Sequence, residues 1–243
     1  MNRLDGKVAL ITGGARGMGA VEARLFVKVG ARVVITDLDE AEGQAVADEI
    51  GVACQFLPQD VTSEADWTRV VEQIEADYGQ LDVLVNNAGI FRVMGFEDTS
   101  LEAWEELISI NQTGTFLGIR SVIGGMKKRR SGSIINLSSI AGLAGTPRAP
   151  AYAATKWAVR GLAKSAAVEF APYGVRINSV HPGLIDTRMM EELNSTPEAL
   201  DARVPLGRRG DSEEIAKLVL FLASDDSSYC TGHEFVADGA IKA

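Results

Sequence analysis

Seven short runs of consecutive apolar and β-branched residues recur along the chain, at 7–12, 31–37, 52–57, 81–86, 133–138, 176–181 and 234–237. Continuous apolarity, rather than alternation of apolar and polar positions, marks strands covered on both faces, as in a parallel sheet. The stretches between them have helical period and are long enough to cross from one parallel strand to the next. Helical period runs over 20–29 and 152–170, and over 63–78, where Trp67, Val70, Val71 and Ile74 share a face and Gly79 stands at the C-cap. Thr99 with Glu102 has the spacing of a capping box opening a helix through Trp104, Leu107 and Ile108. Asp211 with Glu214 repeats that spacing before Ile215, Leu218 and Leu222. Strand and helix alternating this often predict an open, doubly wound α/β sheet.

Composition bounds the function. The 243 residues suit one domain spanning 1–243, with no linker, low-complexity tract or repeat. With 46% hydrophobic and 23% charged residues, the chain is neither disordered nor fibrous. A net charge of -9 repels phosphate backbones, so no nucleic-acid partner is expected. The only histidines are His181 and His233, which argues against a histidine metal site or a Ser-His-Asp triad. Cys54 and Cys230 are isolated, as in a reducing compartment, and no leader or apolar run of about 18 residues is evident. The expectation is a soluble, cytoplasmic protein with no membrane partner. The basic run 127–130 closes a predicted helix and is read as cations facing that helix's C-terminus.

The first predicted strand ends in Thr12-Gly13-Gly14-Ala15-Arg16-Gly17-Met18-Gly19, ahead of a helix and a second strand. Gly13, Gly17 and Gly19 permit a tight turn, close approach of backbone to a pyrophosphate, and close packing of helix on strand. The helix N-terminus then offers N–H groups to the phosphates. Asp37 ends the second strand, where a carboxylate accepts hydrogen bonds from the adenosine ribose and repels a 2′-phosphate, which favours NAD over NADP. Arg16 works the other way, because a cation in the loop partly neutralises such a phosphate. A turn-forming role for Asp37 before Leu38-Asp39 is the alternative.

Tyr152 and Lys156 are spaced i, i+4 at the start of the predicted helix 152–170, so both project from one face. Free tyrosine, with a pKa near ~10, is a poor base at neutral pH. A lysine ammonium one turn away, helped by an oxidised nicotinamide, lowers it toward the working range. Ser139 follows the fifth predicted strand, at the carboxyl edge where ligands of such sheets bind. Its hydroxyl can hold a substrate oxygen beside the tyrosine. A surface Tyr-Lys pair and a chain-turning serine are the plain alternatives, and spacing alone leaves them open.

Thr12-Gly13-Gly14-Ala15-Arg16-Gly17-Met18-Gly19, Asn86-Asn87-Ala88-Gly89, Ser139, Tyr152-Ala153-Ala154-Thr155-Lys156 and His181-Pro182-Gly183 together resemble, in order and spacing, the short-chain dehydrogenase/reductase family. The resemblance covers essentially the whole chain. It implies a three-layer, Rossmann-like fold around a seven-stranded parallel sheet, a nicotinamide cofactor and a homotetramer. It implies catalytic roles for Ser139, Tyr152 and Lys156, and a role for Asn111, in Ile110-Asn111-Gln112-Thr113-Gly114, in shaping a water-linked proton relay. By the same resemblance Asp60 and Val61 line the adenine, Asn87, Ala88 and Gly89 the ribose, and Pro182, Gly183, Ile185 and Thr187 the nicotinamide carboxamide. Gly13, Arg16, Gly17, Met18, Gly19, Asp37 and Leu38, with Tyr152 and Lys156, complete the expected NAD site, and no metal is expected. The phrasing around 13–19, 156–162 and 179–183 is most similar to bacterial NAD-dependent 3-alpha/20-beta-hydroxysteroid dehydrogenases and related secondary-alcohol dehydrogenases. Asp238-Gly239-Ala240 departs from the commoner Asp-Gly-Gly.

The expected reaction is hydride transfer between the nicotinamide and the carbinol carbon of a hydrophobic secondary alcohol, a small-molecule hydroxysteroid or cyclic or aryl alcohol. The pocket is expected from 90–96, 140–151 and 184–205, with Phe91, Val93, Met94, Ile140, Leu143, Met189, Met190 and Leu193 as apolar lining; several of these also read as core or subunit-interface residues. Asn194, Ser195, Thr196 and Pro197 mark turns in a lid. Arg148 and Arg188 read as solvated, and His181 as a spectator. An NADPH-dependent 3-oxoacyl-carrier-protein reductase is the closest rival, opposed by Asp37; a regulator without turnover would have no use for Ser139, Tyr152 and Lys156 together.

Overall fold

The computed structural model describes residues 3–243. Strands β1 (Val8–Thr12), β2 (Arg32–Asp37), β3 (Cys54–Pro58), β4 (Val83–Asn86), β5 (Gly132–Leu137), β6 (Val175–Pro182) and β7 (Glu234–Ala237) form one sheet in the order β3-β2-β1-β4-β5-β6-β7, parallel throughout. Helices α1 (Gly17–Lys28), α2 (Glu40–Ile50), α3 (Glu64–Tyr78), α4 (Leu101–Leu107), α5 (Gly114–Arg129), α6 (Pro150–Phe170), α7 (Pro197–Asp201) and α8 (Ser212–Ala223) connect them. Successive strand side chains point to opposite faces. Ala9 and Ile11 of β1 therefore join Phe26, Val219 and Leu222 of α1 and α8 on one face, while Val8 and Leu10 join Trp67, Leu117 and Ala163 of α3, α5 and α6 on the other. Two cores on one sheet explain why the strands read as unbroken apolar runs. The expected seven-stranded, three-layer, Rossmann-like fold is the one observed.

Local details shift the expected boundaries. Helix α1 opens at Gly17, three residues earlier than its apolar period suggests. The expected cap at Thr99 is displaced by one residue, because α4 starts at Leu101: Ser100 accepts from the Ala103 N–H at 3.1 Å, and Thr99 Oγ1 instead donates to the Gly95 carbonyl at 2.6 Å. The Asp211–Glu214 capping box forms as read. Helix α6 opens two residues before Tyr152, on Pro150, whose fixed φ and missing N–H suit a first helical position. Ala240, where glycine is commoner, sits at φ +72°, a left-handed conformation costing an L-residue about 1–2 kcal/mol. Asp238 holds that turn by accepting the N–H groups of Ala240 and Lys242 at 2.9 and 2.8 Å. Among the described residues no helix is long and apolar enough to cross a membrane.

One side chain breaks the apolar logic. Glu22 of α1 is fully buried, neither carboxyl oxygen has a partner, and burial pushes its pKa up to about 8. A raised folded pKa means that the unfolded chain gives up this proton first. Stability from the neutral carboxyl is complete below about 4.5 and drains away as pH rises toward 8, on the order of 3 kcal/mol by pH 7. Glu22→Gln should therefore melt higher than the wild type by a margin that widens from pH 5 to pH 8; melting curves that stay parallel across that range would refute this.

Candidate active site

Because all strands are parallel, the segments 13–16, 38–39, 87–89, 138–139 and 183–187 leave the same carboxyl edge. The strand order reverses between β1 and β4, and a crevice opens there. Side chains stitch its two banks together. Thr12 Oγ1 accepts the N–H groups of Asn87 and Ala88, each at 3.1 Å, while Asn87 Nδ2 donates to the carbonyls of Thr12 and Gly13 at 2.9 and 3.0 Å. A Cβ at Gly13 would lie 2.9 Å from Ala88 Cα, and one at Gly19 would lie 2.4 Å from the Gly13 carbonyl oxygen. Only bare backbone fits this turn. Arg16 takes the N-cap position of α1 without a side-chain cap, which leaves the first N–H groups of that helix facing the crevice floor with Gly17, Met18 and Gly19.

The cofactor residues expected from sequence gather round this turn. Asp37 Oδ2 accepts the Ala15 N–H at 3.2 Å and Oδ1 the Leu38 N–H at 2.8 Å, so the carboxylate both forms its own turn and braces the glycine loop. Leu38 beside it is 70% exposed, an apolar surface without a protein partner. Asp60 Oδ1 accepts from the Thr62 N–H and hydroxyl at 2.8 and 2.7 Å, and the Val61 carbonyl accepts Trp67 Nε1 at 2.9 Å. On the far bank, Gly183 N–H donates to the Ala237 carbonyl at 3.0 Å and Ile185 is buried. Thr187 returns to Gly17, where a Cβ would meet its Cγ2 at 3.9 Å.

Tyr152 and Lys156 are buried, not surface residues, which removes the plain reading of their spacing. Tyr152 has Ser139 as the neighbour that favours its phenolate and packs edge-on against Phe91 with ring centroids 4.8 Å apart. Lys156 Nζ lies 5.6 Å from the Tyr152 ring centroid and donates to the Leu137 carbonyl at 2.8 Å. Burial pushes the phenol up to about 12, partly offset by Ser139, and pushes the lysine down to about 8. Among the chain's own residues desolvation of the phenolate dominates and a burial-depressed ammonium is a weak counterion, which leaves the expected lowering of the tyrosine to the lysine and an oxidised nicotinamide together. Asn111 is buried in a π-helical turn, Ile108–Thr113, between α4 and α5. Its Oδ1 accepts the Ile90 N–H at 2.8 Å, and its Nδ2 donates to the Ile90 carbonyl at 2.9 Å and to Thr155 Oγ1 at 3.2 Å. Thr155 in turn donates to the Tyr152 carbonyl at 2.7 Å. A Cβ at Gly89 would lie 3.0 Å from Asn111 Oδ1 and 3.5 Å from Lys156 Nζ, so these two groups share one small space.

Beside Tyr152, Phe91, Val93, Met94, Met189 and Leu193 pack with Trp104, Leu107 and Ala149 in an apolar cluster. Ile140, Leu143 and Met190 of the expected lining lie outside it; Ala149, from the expected segment 140–151, belongs to it, and so does Trp104 of α4, outside the expected segments. Arg92 Nη1 lies 3.3 Å from Glu192 Oε1, an ion pair joining the segment after β4 to the short helix Arg188–Leu193. Asn194, at φ +46°, ends that helix, and Thr196 caps α7 by accepting the Ala199 N–H. Arg148 and Arg188 are both exposed as expected, and Arg188 also reaches Glu42 at 3.4 Å. Among the described residues no cluster of three His, Cys, Asp or Glu is placed to hold a metal.

The family whose model matches residues 13–241 is described as enoyl-(acyl carrier protein) reductase. The chain is 50% identical over 241 residues to the 3-alpha-(or 20-beta)-hydroxysteroid dehydrogenase of Mycobacterium bovis, covering 99% of this chain and 91% of that protein. It is 45% identical to the trans-4-hydroxycyclohexanecarboxylate dehydrogenase of Sinomonas cyclohexanicum over 98% of this chain and 93% of the relative. It is 44% identical to the cyclopentanol dehydrogenase of Comamonas sp. over the full length of both. The chain belongs to the short-chain dehydrogenase/reductase family. As a short-chain dehydrogenase/reductase it is an oxidoreductase acting on CH–OH groups, and its family implies a nicotinamide cofactor. Thr12 and Thr155, which hold the glycine turn and the tyrosine in place here, stand in the motifs quoted from the sequence, where nothing gave either hydroxyl a role of its own.

Proposed function

We propose that this single-domain chain interconverts a hydrophobic secondary alcohol and its ketone with NAD(H), through Tyr152, Lys156, Ser139 and Asn111. The observation that carries the reading is the buried Tyr152, with Lys156 Nζ 5.6 Å from its ring centroid, set against an apolar cluster at the edge of the crevice. The glycine turn fits a dinucleotide, since Gly13 and Gly19 leave a cradle that any Cβ would fill. Bound oxidised nicotinamide supplies the hydride acceptor and a positive charge that favours the Tyr152 phenolate. Tyr152 takes the alcohol proton in oxidation and returns it in reduction, while Ser139 Oγ holds the substrate oxygen. Lys156 Nζ, held by the Leu137 carbonyl, takes up and releases that proton toward Asn111 and solvent. Asn111 fixes the turn at Ile90 and, through Thr155, the helical turn carrying Tyr152.

Relatives named for a hydroxysteroid, a cyclohexane carboxylate and cyclopentanol point to a ring-bearing alcohol as substrate, consistent with the apolar lining. The matched family's description names an acyl-carrier substrate, but a net charge of -9 is poorly suited to an acidic carrier protein. A panel of steroids, cyclic alcohols and acyl thioesters separates these readings, and reaction with thioesters alone would overturn the first. Tyr152→Phe should keep cofactor binding and lose turnover by at least ~100-fold. Wild-type oxidation should speed up as pH rises from 7 toward 10, because a phenol raised toward 12 is the limiting base, and ketone reduction should slow over the same range as Lys156, pushed down to about 8, loses the proton it passes to Tyr152. Near-wild-type turnover of the Phe variant would sink the assignment.

NAD is favoured over NADP by two carboxylates. Glu42 lies 3.4 Å from both Arg16 Nη1 and Arg188 Nη1, so the loop cation that could receive a 2′-phosphate is already paired, and Asp37 adds a second negative charge. Glu42→Gln should raise kcat/KM for NADP by about fivefold, the scale of ~1 kcal/mol for an exposed pair, and Asp37→Ser should add to it. A wild type that prefers NADPH would overturn the NAD assignment.

The proposed homotetramer rests on two separate apolar faces. Phe116, Trp157 and Val168 are exposed on α5 and α6, and Tyr229 and Val236 are exposed at and before β7. Two self-complementary faces close a dimer of dimers. Light scattering should give about four times 25.9 kDa, and Trp157→Glu should halve that mass; a monomeric wild type would refute it.

A further inference from the structure

The site's one buried histidine has no part in the proton path proposed above, yet it is tied to the site by geometry. The β5–β6 ladder ends where Ser138 N–H donates to the Val180 carbonyl at 2.8 Å. The next donor on β6 would be Pro182, which has no N–H, so the Ser138 carbonyl receives no rung and the ladder stops short of Ser139. His181, with no exposed surface, reaches past the end of the ladder: its Nδ1 lies 2.9 Å from the Ser139 carbonyl oxygen and its Nε2 lies 2.9 Å from Ser179 Oγ. A carbonyl only accepts, so Nδ1 carries the proton and Nε2 accepts from the Ser179 hydroxyl. Burial holds the imidazole below its usual pKa; Lys156 and Arg160 push the same way, and the Ser139 carbonyl and Glu234 push against them. The ring is therefore a neutral donor of fixed tautomer. Ser139 is held extended, its carbonyl by His181 and its Oγ by the Ala141 N–H at 3.1 Å.

We propose that His181 is a positioning residue: its Nδ1–H fixes the peptide of Ser139 and thereby aims the serine hydroxyl at Tyr152 and the substrate oxygen. This rests on the Ser139–Tyr152 chemistry proposed above. The aim of Ser139 matters to the base itself, because the Ser139 hydroxyl is the neighbour that pushes the Tyr152 pKa down against burial. Losing the His181 donor should thus change turnover and its pH profile together, while the cofactor turn on the far side of β1 stays intact.

The test uses the whole enzyme with cyclopentanol and NAD. His181→Leu removes the donor, and His181→Asn returns an N–H near the Nδ1 position. The leucine variant should bind NADH as the wild type does, lose kcat about 10- to 100-fold with little change in the KM for NAD, and show its alkaline rise in oxidation at higher pH. The asparagine variant should recover most of both kcat and the profile. A leucine variant that folds with wild-type kcat and profile, or an asparagine variant no better than it, overturns the inference. Should the leucine variant fail to fold, Ser179→Ala decides: freeing Nε2 admits the wrong tautomer and should lower kcat severalfold without moving the KM for NAD, and unchanged kcat overturns the inference. If Tyr152→Phe is inactive while these variants behave as wild type, the positioning role fails alone; if Tyr152→Phe is active, the underlying chemistry fails with it.

Discussion

Everything in this site depends on the hydrogen bonds that join Thr12 to Asn87 across the reversal of strand order. β1 and β4 share a ladder as far as Ile11 and Val85, but beyond it the chain leaves the two strands in opposite lateral directions, and side chains take over. Thr12 donates shape from within an apolar strand, and Asn87 spends its amide on two carbonyls of the glycine turn. The result is a turn too tight for any Cβ and a helix N-terminus left facing open space. A loosened stitch would let the turn relax and would cost the crevice its floor.

The catalytic bank obeys a different constraint, which is dryness. A buried phenol at about 12 and a buried lysine near 8 are both displaced toward their neutral forms by the same loss of water. Neutrality suits a group that must lend and reclaim a proton inside an apolar cluster. It also shifts the weight of tuning from the lysine to shorter contacts: the Ser139 hydroxyl on the phenol, and behind it the imidazole on the Ser139 carbonyl. Hydrogen bonds keep their strength where charges are poorly tolerated, so in this site precise donors do what a free ammonium would do in water.

Much of this was legible in the sequence, and the reason is geometric. A strand covered on both faces must be apolar at every position, so all seven strands announced themselves; a helix cap needs a specific residue, yet a one-residue choice between Thr99 and Ser100 has no period behind it and was misplaced. The glycine turn and the Tyr152–Lys156 spacing were visible because close approach and the i, i+4 face demand particular residues. The π-helical turn around Asn111 was invisible, since one extra residue in a helix alters no composition. Burial was the other blind spot. From spacing alone the lysine looked like a cation beside a tyrosine, and only its enclosure shows that desolvation outweighs its charge.

The scarcity of histidine takes on a different meaning in this light. A chain with two histidines has little to offer a histidine-based proton transfer, and the one in the site is neutral, doubly bonded and sealed from solvent. Its value lies in what a proline takes away. Pro182 ends the ladder so that the segment beyond it can turn over the crevice toward Ile185 and Thr187, and the same proline deprives the sheet's edge of an N–H next to Ser139. A side chain one residue earlier can supply a donor without restoring the strand. His181 does so from within β6, which lets the backbone leave the sheet while the Ser139 peptide, beyond the last rung, still has a fixed donor.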